Sequence, residues 1–273
     1  MDSLVIVEEM IGKNPEHIQN YMRMVDLGML QGRQSYIEQV RYMLALAHTA
    51  ESLGFSKEYM FIGGLGVLGN IVNELGIDSI TKWRGTRDLD VALYDRSKSS
   101  LVDIVFDEID IAGKSSSIPN KSTVRGYSLD SNCNPLGSAT IDVYFPNGSP
   151  KQGVKIRDVV IDDSCWESPT RPSFFGLLVN CADPITLMKM KLHVENDYKL
   201  CRTQDALDII VLTGVCERRE ISPLFLNQLL SREKERKVLQ YSLRNPPSSL
   251  ITVEGALPLP LVPSSSYIEE LLQ

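Results

Sequence analysis

The chain has 273 residues, and its 43% hydrophobic content is enough for the core of one large domain or two small ones. The formal net charge of −7 argues against a protein that coats nucleic acid non-specifically, because that affinity comes largely from neutralising phosphates. No uninterrupted apolar stretch approaches the ~18 residues of a membrane span, and Asp2, Glu8 and Glu9 leave no basic start for a secretory signal. We therefore expect a cytoplasmic protein with no membrane partner.

The N-terminal region, residues 1–56, is expected to be a helical segment. Its clearest pattern lies in residues 36–47, where apolar side chains recur every three or four positions, and Gly54 is expected to end that helix. Residues 57–180 have the pattern of a mixed α/β core. The expected elements of this core are strands near 59–62, 88–94, 123–129, 139–145 and 153–161, and a helix near 101–108.

Residues 181–244 are expected to form a C-terminal helical domain, which opens with Asp183 as N-cap and Pro184 in the first turn. The tail, residues 245–273, is rich in proline and serine and is expected to be a loose arm with a short docking helix at 267–272. The predicted fold class is therefore α/β, of the α+β kind. A mixed β-sheet core is flanked by an N-terminal helical segment and a C-terminal helical domain.

Two aspartates stand two residues apart at the start of an apolar run. In an extended strand, Asp88 and Asp90 share one face while Leu89 and Val91 share the other. Two like charges this close resist ionising together unless a cation or a basic group lies between them. Magnesium, a hard ion that binds carboxylate oxygens and leaves room for phosphate, suits such a pair. The segment therefore predicts a metal-binding edge on a buried strand.

A glycine turn and a third carboxylate add to this candidate site. Gly63 and Gly64 follow a short apolar strand and precede a helix-like segment, an arrangement that presents free backbone N–H groups to an anion. Asp142 alternates with apolar residues in 139–145 and supplies a third strand carboxylate. A turn for a triphosphate and three carboxylates for two metal ions are the parts that nucleotidyl transfer needs.

These segments resemble the polymerase-β-type nucleotidyltransferase superfamily. The residues that carry the resemblance are the Gly63-Gly64 turn, the Thr86-x-Asp88-x-Asp90 strand and the later Asp142. Within this superfamily, one motif is similar to the AbiEii-like branch, the abortive-infection toxins of type IV toxin–antitoxin systems. That motif is Arg84-x-Thr86-x-Asp88-Leu89-Asp90. The resemblance spans residues 59–212 and implies a nucleotidyltransferase-fold core.

The toxin-like branch also carries a helical signature of a lysine followed by two aspartates three residues apart. The segments around Lys189 and Lys191 and around Asp205 and Asp208 are similar to this signature. The resemblance implies that Lys191 neutralises charge on the leaving pyrophosphate, with Lys189 as the alternative lysine. Asp205 would orient that lysine or contact the nucleotide.

The resemblance further implies transfer of a nucleoside monophosphate from a nucleoside triphosphate (NTP), with two Mg²⁺ ions, or Mn²⁺ in their place. Asp88, Asp90 and Asp142 would hold the metal ions, and Asp142 would help to deprotonate the acceptor. The residues expected to bind the triphosphate are Gly63, Gly64, Arg84 and Thr86. The acceptor implied is an RNA, a tRNA end in particular, or a protein side chain. A toxin would also need an antitoxin protein as partner.

Several alternatives to these roles stay open at this stage. Leu65 stands where many members of the superfamily carry a Ser or Thr that contacts phosphate, and the interval from Gly64 to Asp88 is long for the superfamily. A degenerate relative that binds nucleotide or a partner without turnover is therefore the second hypothesis. Arg84 could pair with Asp88 instead of phosphate. Lys191 could likewise form a purely structural salt bridge with Asp205, the first aspartate of its signature.

Two further patterns have competing interpretations. Gly64-x-Gly66-x-x-Gly69 is a literal dinucleotide fingerprint, but here the acidic residues precede the apolar run instead of ending it, and repeated strand–helix units are missing. The basic residues of 232–237, with Arg218, Arg219 and Arg244, could form one wall of an RNA cleft. A solvated helix face with mixed charges explains the same pattern.

Overall fold

The computed structural model describes residues 14–30, 34–83, 85–86, 88–95, 108–110, 121–129, 135–146, 153–156, 159–193, 202–230, 232–246 and 261–273. Helices and a mixed sheet in these ranges form an α+β fold, as predicted. Most of the helix expected near 101–108 lies outside the described residues, and Glu108 itself begins a strand.

Two helices precede the sheet, α1 (Pro15–Leu30) and α2 (Gln34–Ser52). Helix α2 contains the periodic segment 36–47 and packs against α1 on one side and against strands on the other. Nearly every side chain of that segment is buried as a result. The helix ends just before Gly54, whose φ of +75° lies in the left-handed region that glycine adopts at low cost.

The central sheet has five strands in the spatial order β1-β2-β5-β4-β3. The strands are β1 (Tyr59–Phe61), β2 (Asp88–Leu93), β3 (Glu108–Asp110), β4 (Lys121–Leu129) and β5 (Pro135–Tyr144). Strands β2 and β5 are parallel, and the other neighbouring pairs are antiparallel. In β2, Leu89, Val91 and Leu93 are fully buried, whereas Asp88 is exposed and Asp90 half-buried. The alternation of acidic and apolar residues thus separates the two faces of this strand, as the pattern predicts.

The connection from β1 to β2 excludes the dinucleotide interpretation of the glycines. Helix α3 (Gly63–Leu75) and a 3₁₀ turn (Ile77–Lys82) follow β1, and β2 then returns antiparallel to it, with Tyr59 opposite Leu93. A dinucleotide-binding unit requires a parallel strand after the helix. Packing explains the last fingerprint glycine, because a Cβ on Gly69 would overlap the Sγ atom of Cys181.

The segment 153–161 does not return as one strand of the main sheet. It forms a separate hairpin of β6 (Val154–Ile156) and β7 (Val159–Ile161), with Val154 opposite Ile161. The sequence prediction of a single strand was therefore wrong. A run of alternating apolar residues does not reveal a turn in its middle, and both arms of a short hairpin show the same period.

After β7, most of the elements in the described residues are helices. Its elements are α4 (Asp163–Glu167), the hairpin β8 (Ser173–Phe174) and β9 (Leu177–Leu178), α5 (Pro184–Leu192), α6 (Thr203–Arg218), α7 (Pro223–Leu229), α8 (Glu233–Arg244) and α9 (Ser265–Leu271). Asp183 caps α5 as predicted, since its Oδ1 accepts from the N–H groups of Ile185 and Thr186 at 2.9 and 3.0 Å. None of the helices in the described ranges combines the length and apolar character needed to cross a membrane.

Helix α6 joins the C-terminal helices to α3, the helix that follows β1. Its residues 206–216 are all buried, and it packs against α3, α5 and α8. Asn70 on α3 also ties that helix to the chain just before α5, because its Nδ2 donates to Ala182 O at 2.9 Å. The predicted docking helix of the tail is α9, where Tyr267 Oη donates to Ile221 O at 2.6 Å. The N-terminus of α3, the start of β2, the end of α5 and the start of α6 meet at one place.

Candidate active site

A cavity of about 350 Å³ opens where these elements meet. The residues that line it are Gly64, Thr86, Asp88, Asp90, Lys191, Arg202, Gln204 and Asp205. Six of these eight were singled out from the sequence as candidate site residues. A larger cavity of about 750 Å³ lies near Tyr94, at the opposite end of β2. We assign the site to the smaller cavity, because the paired carboxylates and the predicted lysine converge there.

Strand pairing holds the three predicted carboxylates in register. Asp90 and Asp142 are Cα partners in the parallel β2–β5 ladder, and Asp88 is the partner of Thr140. Side chains at paired positions of neighbouring strands lie on the same face of a sheet. Asp142 therefore lies beside Asp90, although within the described residues it is not part of the cavity wall.

The two glycines allow the turn before α3 to approach β2 closely. Gly63 has a φ of +58°, and a Cβ at this position would overlap Asp90 Oδ2. A Cβ on Gly64 would lie 2.7 Å from Thr86 Oγ1. The backbone of Ile62 is joined to the same strand, since its N–H donates to Asp90 O at 3.0 Å. Any side chain at Gly63 would push the Asp90 carboxylate away.

Helix α3 points its N-terminus at the cavity. The first N–H groups of a helix have no acceptor within it, and the first bond here runs from Gly66 N–H to Ile62 O at 3.0 Å. Ile62, the N-cap residue, offers no side-chain acceptor. Leu65 is fully buried in the core, so this turn can reach a phosphate only through backbone N–H groups. The hydroxyl of Thr86 lies next to them and donates to Asp88 O at 3.2 Å.

Asp90 is held where ionisation is unfavourable. Burial raises the pKa of Asp90 to about 6, and the negative charges of Asp142 and Asp88 act in the same direction. Lys191 and Lys121 oppose this shift but do not cancel it. At neutral pH, which lies above this pKa, Asp90 is ionised against burial and carboxylate repulsion, and a bound cation would relieve that cost.

Asp142 is engaged on both of its oxygens. Lys121 Nζ lies 2.5 Å from Asp142 Oδ2, and Thr123 Oγ1 donates to Asp142 Oδ1 at 2.6 Å. The register of β4 and β5 explains both contacts, since Thr123 is directly opposite Asp142 and Lys121 lies two residues along the same face. Asp142 thus differs from Asp88 and Asp90, which face the cavity.

Lys191 links the two helices that close the cavity. Its Nζ lies 2.7 Å from Asp208 Oδ2 and 3.0 Å from Asp205 Oδ1. Arg202 holds Asp205 with two hydrogen bonds, from Nε at 2.6 Å and from Nη2 at 3.1 Å. Burial alone would raise the pKa of Asp205, but Lys191 and Arg202 outweigh it and hold that pKa below its usual range. The predicted salt bridge exists, and it forms part of the cavity wall.

One predicted site residue lines a different cavity, and another lies outside the described residues. Lys189 lines a separate cavity of about 530 Å³, together with Asp183 and Arg232. Arg84 lies outside the described residues. Lys191 is therefore the lysine of the signature that the fold brings to the paired carboxylates.

Three of the basic residues suggested for an RNA cleft have partners within the protein. Arg219 Nε contacts Glu74 Oε1 at 2.8 Å, which ties α6 to α3. Arg236 Nε donates to Leu230 O at 2.9 Å, and Lys237 pairs with Glu233 at 2.7 Å along α8. These contacts favour the interpretation of the segment as a helix face with mixed charges.

Sequence reasoning missed several residues around the site. Arg202 and Gln204 line the cavity, and their closeness to Asp205 in the signature was a usable signal. Lys121 and Thr123 contact Asp142 only through the β4–β5 register. No local sequence pattern predicts such a pairing, because the register of a strand depends on its partner strand.

The donor set fits one hard divalent cation. Mg²⁺ is commonly bound by one or two carboxylates and completes its shell with water and substrate phosphates. Asp88 and Asp90 provide such a pair on one strand face, and a cation there would offset the burial and the carboxylate repulsion that raise the pKa of Asp90. Within the described ranges, no group of three or more His, Cys, Asp or Glu side chains is arranged to hold a metal ion.

Comparisons with known proteins give one likeness. No protein-family model and no curated protein matches the sequence. The fold is similar to the crystal structure of a "putative nucleotidyltransferase from H. pylori", at 13% identity and a TM-score of 0.45. The match covers 88% of this chain and 92% of that one. A similarity of this size does not assign the chain to a family, and it does not bear on the AbiEii-like branch.

Proposed function

We propose that the protein is a metal-dependent nucleotidyltransferase. The observation that carries this proposal is the meeting of two strand carboxylates, a helix N-terminus and two cationic side chains in one cavity. In the reaction, an acceptor hydroxyl oxygen attacks the α-phosphorus of an NTP. A new P–O bond forms, the bond to the β-phosphate oxygen breaks, and pyrophosphate leaves.

The triphosphate is proposed to lie between the glycine turn and the helical half. Backbone N–H groups of Gly63 and Gly64 and the hydroxyl of Thr86 would bind phosphate oxygens from one side. Lys191 and Arg202 would neutralise the charge that develops on pyrophosphate from the other side. Asp205 positions both cations, since it contacts Lys191 Nζ and the Arg202 guanidinium.

Asp88 and Asp90 are proposed to hold Mg²⁺, or Mn²⁺ in its place. The ion would neutralise the triphosphate and polarise the reacting phosphate. Asp142 lies next to Asp90 and would accept the proton of the acceptor hydroxyl. A second ion at Asp142 would require its contacts with Lys121 and Thr123 to break.

The finer assignments rest on the motif resemblance. We propose RNA, with a tRNA end as the first candidate, or a protein side chain as the acceptor. Membership of the AbiEii-like branch would add a growth-arresting role and an antitoxin partner. The competing function is a non-catalytic nucleotide- or partner-binding protein, which Leu65 favours because it supplies no hydroxyl to the phosphate turn.

A label-transfer experiment tests the proposal. The protein is incubated with each α-labelled NTP, Mg²⁺ and total cellular RNA and protein, and the two acceptor pools are then separated. We expect label in one pool with the wild type and none with Asp90→Asn. Asp78→Asn is the matched control, because Asp78 is a surface residue that pairs with Arg23 at 3.7 Å. Tight NTP binding with equal background label from all three proteins would favour the non-catalytic alternative.

A further inference from the structure

The ammonium of Lys121 occupies a defined place beside the proposed site. It lies 2.5 Å from Asp142 Oδ2 and 5.5 Å from the centroid of the Tyr144 ring. The side chains of Lys121 and Asp142 are only 17% and 16% exposed, so water screens this pair less than a surface pair. The other oxygen of Asp142 accepts from Thr123. Both carboxylate oxygens therefore have partners supplied by β4.

The sheet brings this ammonium close to the metal-binding carboxylates. Thr123 and Asp90 are the register partners of Asp142 on its two sides, so three neighbouring strands present these groups on one face. The charge of Lys121 also lowers the pKa of Asp90, against the stronger effect of burial. The positive charge thus contacts the carboxylate that a second metal ion would need as its ligand.

We propose that Lys121 takes the place of a second metal ion, so that the site works with one divalent ion held by Asp88 and Asp90. This inference rests on the proposed function. A dication at Asp142 would have to displace two hydrogen-bonded partners and would then lie beside the displaced ammonium. One ion and one lysine satisfy the same three carboxylates without that repulsion.

Lys121 acts through Asp142 and is therefore a positioning residue. Its ammonium holds the Asp142 carboxylate in one orientation until the acceptor hydroxyl arrives. As the new P–O bond forms, the hydroxyl proton passes to Asp142, and pyrophosphate departs with the electron pair of the broken P–O bond. The step balances without a second metal ion.

The test counts metal ions directly. The probe is Mn²⁺, titrated into protein saturated with an α,β-methylene NTP analogue and followed by electron paramagnetic resonance. We expect one bound Mn²⁺ per chain in the wild type and two in Lys121→Met, where Asp142 loses its cation. The double variant Lys121→Met with Asp142→Asn should return to one. Two ions in the wild type, or one ion in Lys121→Met, would overturn the inference.

Two more variants test the role of the Lys121 charge and the proposed metal site separately. Lys121→Arg keeps the positive charge and should bind one ion, and a second ion in this variant would contradict a charge-based role. If Lys121→Met does not fold, the metal count of Lys121→Arg still tests the inference, and thermal unfolding of Lys121→Arg shows whether that variant is folded. Asp90→Asn should lose the single wild-type ion, which tests the proposed metal site independently of Lys121. A wild type that binds no Mn²⁺ would contradict both the proposed function and the inference.

Discussion

Asp90 contributes charge to the site at a cost to stability. Its pKa is about 6 in the folded protein, against an ordinary value of 3.8. Between these values the folded protein retains a proton that the unfolded chain has released, so the free energy of unfolding falls as pH rises through that window. Above pH 6 this loss is complete.

We therefore expect Asp90→Asn to be more stable than the wild type when no divalent ion is present. The gain in free energy of unfolding should be about 1 to 2 kcal/mol at pH 7.5 and should shrink towards pH 4. Mg²⁺ should raise the unfolding temperature of the wild type and leave that of the variant unchanged. Thermal unfolding with and without Mg²⁺ measures both effects. An equal rise in unfolding temperature with Mg²⁺ in the two proteins would show that Asp90 does not bind the metal ion.

Gly63 offers a second test at the residue scale. Gly63→Ala should lose metal binding and cost about 1 to 3 kcal/mol of stability, because its Cβ overlaps Asp90 Oδ2 and the backbone is left-handed. Gly54→Ala is the matched control. Its φ is +75°, but a Cβ there has no neighbour within 4 Å, so only the backbone strain remains. Equal Mn²⁺ affinity in the two variants would show that the close approach is unimportant.

Among the elements, the pair α5 and α6 joins stability to function through Lys191. Asp208 is fully buried, and its carboxylate contacts the lysine ammonium at 2.7 Å. Lys191→Met should cost about 3 kcal/mol, because it leaves a buried carboxylate without that cation. The double variant Lys191→Met with Asp208→Asn should recover most of this stability. Urea unfolding measures the recovery.

The same double variant separates the two interpretations of Lys191. If the lysine stabilises the leaving pyrophosphate, label transfer stays lost although the fold is restored. Transfer that returns together with stability would show that the lysine has only a structural role.

Local sequence patterns predicted individual strands and helices where apolar and polar residues alternate regularly or where a capping residue marks a helix start. The alternation in 88–93 placed Asp88 and Asp90 on one face, and the Asp183-Pro184 pair marked the start of α5. Contacts between elements could not be read in this way. The pairing of Lys121 with Asp142 depends on strand register, and the glycine fingerprint was ambiguous until the direction of β2 was known.

In the whole molecule, the cavity is shared between the sheet and the helical half. The phosphate turn and the paired acids come from the first half of the chain, whereas Lys191, Arg202 and Asp205 come from the second. This convergence is the observation that supports the proposed function. A ligand that bridges the halves should stabilise them together.

This shared construction predicts a role for Arg202 in triphosphate binding. Arg202→Ala should weaken NTP affinity about tenfold, equivalent to about 1.4 kcal/mol, because one cation is removed from the cavity. Arg23→Ala is the control, since Arg23 forms a surface pair with Asp78 at 3.7 Å. Isothermal titration with a non-hydrolysable NTP measures both affinities. Equal affinities would place the triphosphate elsewhere.

The most direct test of nucleotidyl transfer compares two positions of the label. The protein is given an NTP labelled at the α-phosphate in one reaction and at the γ-phosphate in another, with Mg²⁺ and the acceptor pool. We predict that the α-label enters the acceptor and that the γ-label leaves in pyrophosphate. Entry of the γ-label into the acceptor would show phosphoryl transfer instead. Absence of both labels from every acceptor would contradict the account of this cavity as a nucleotidyltransferase site.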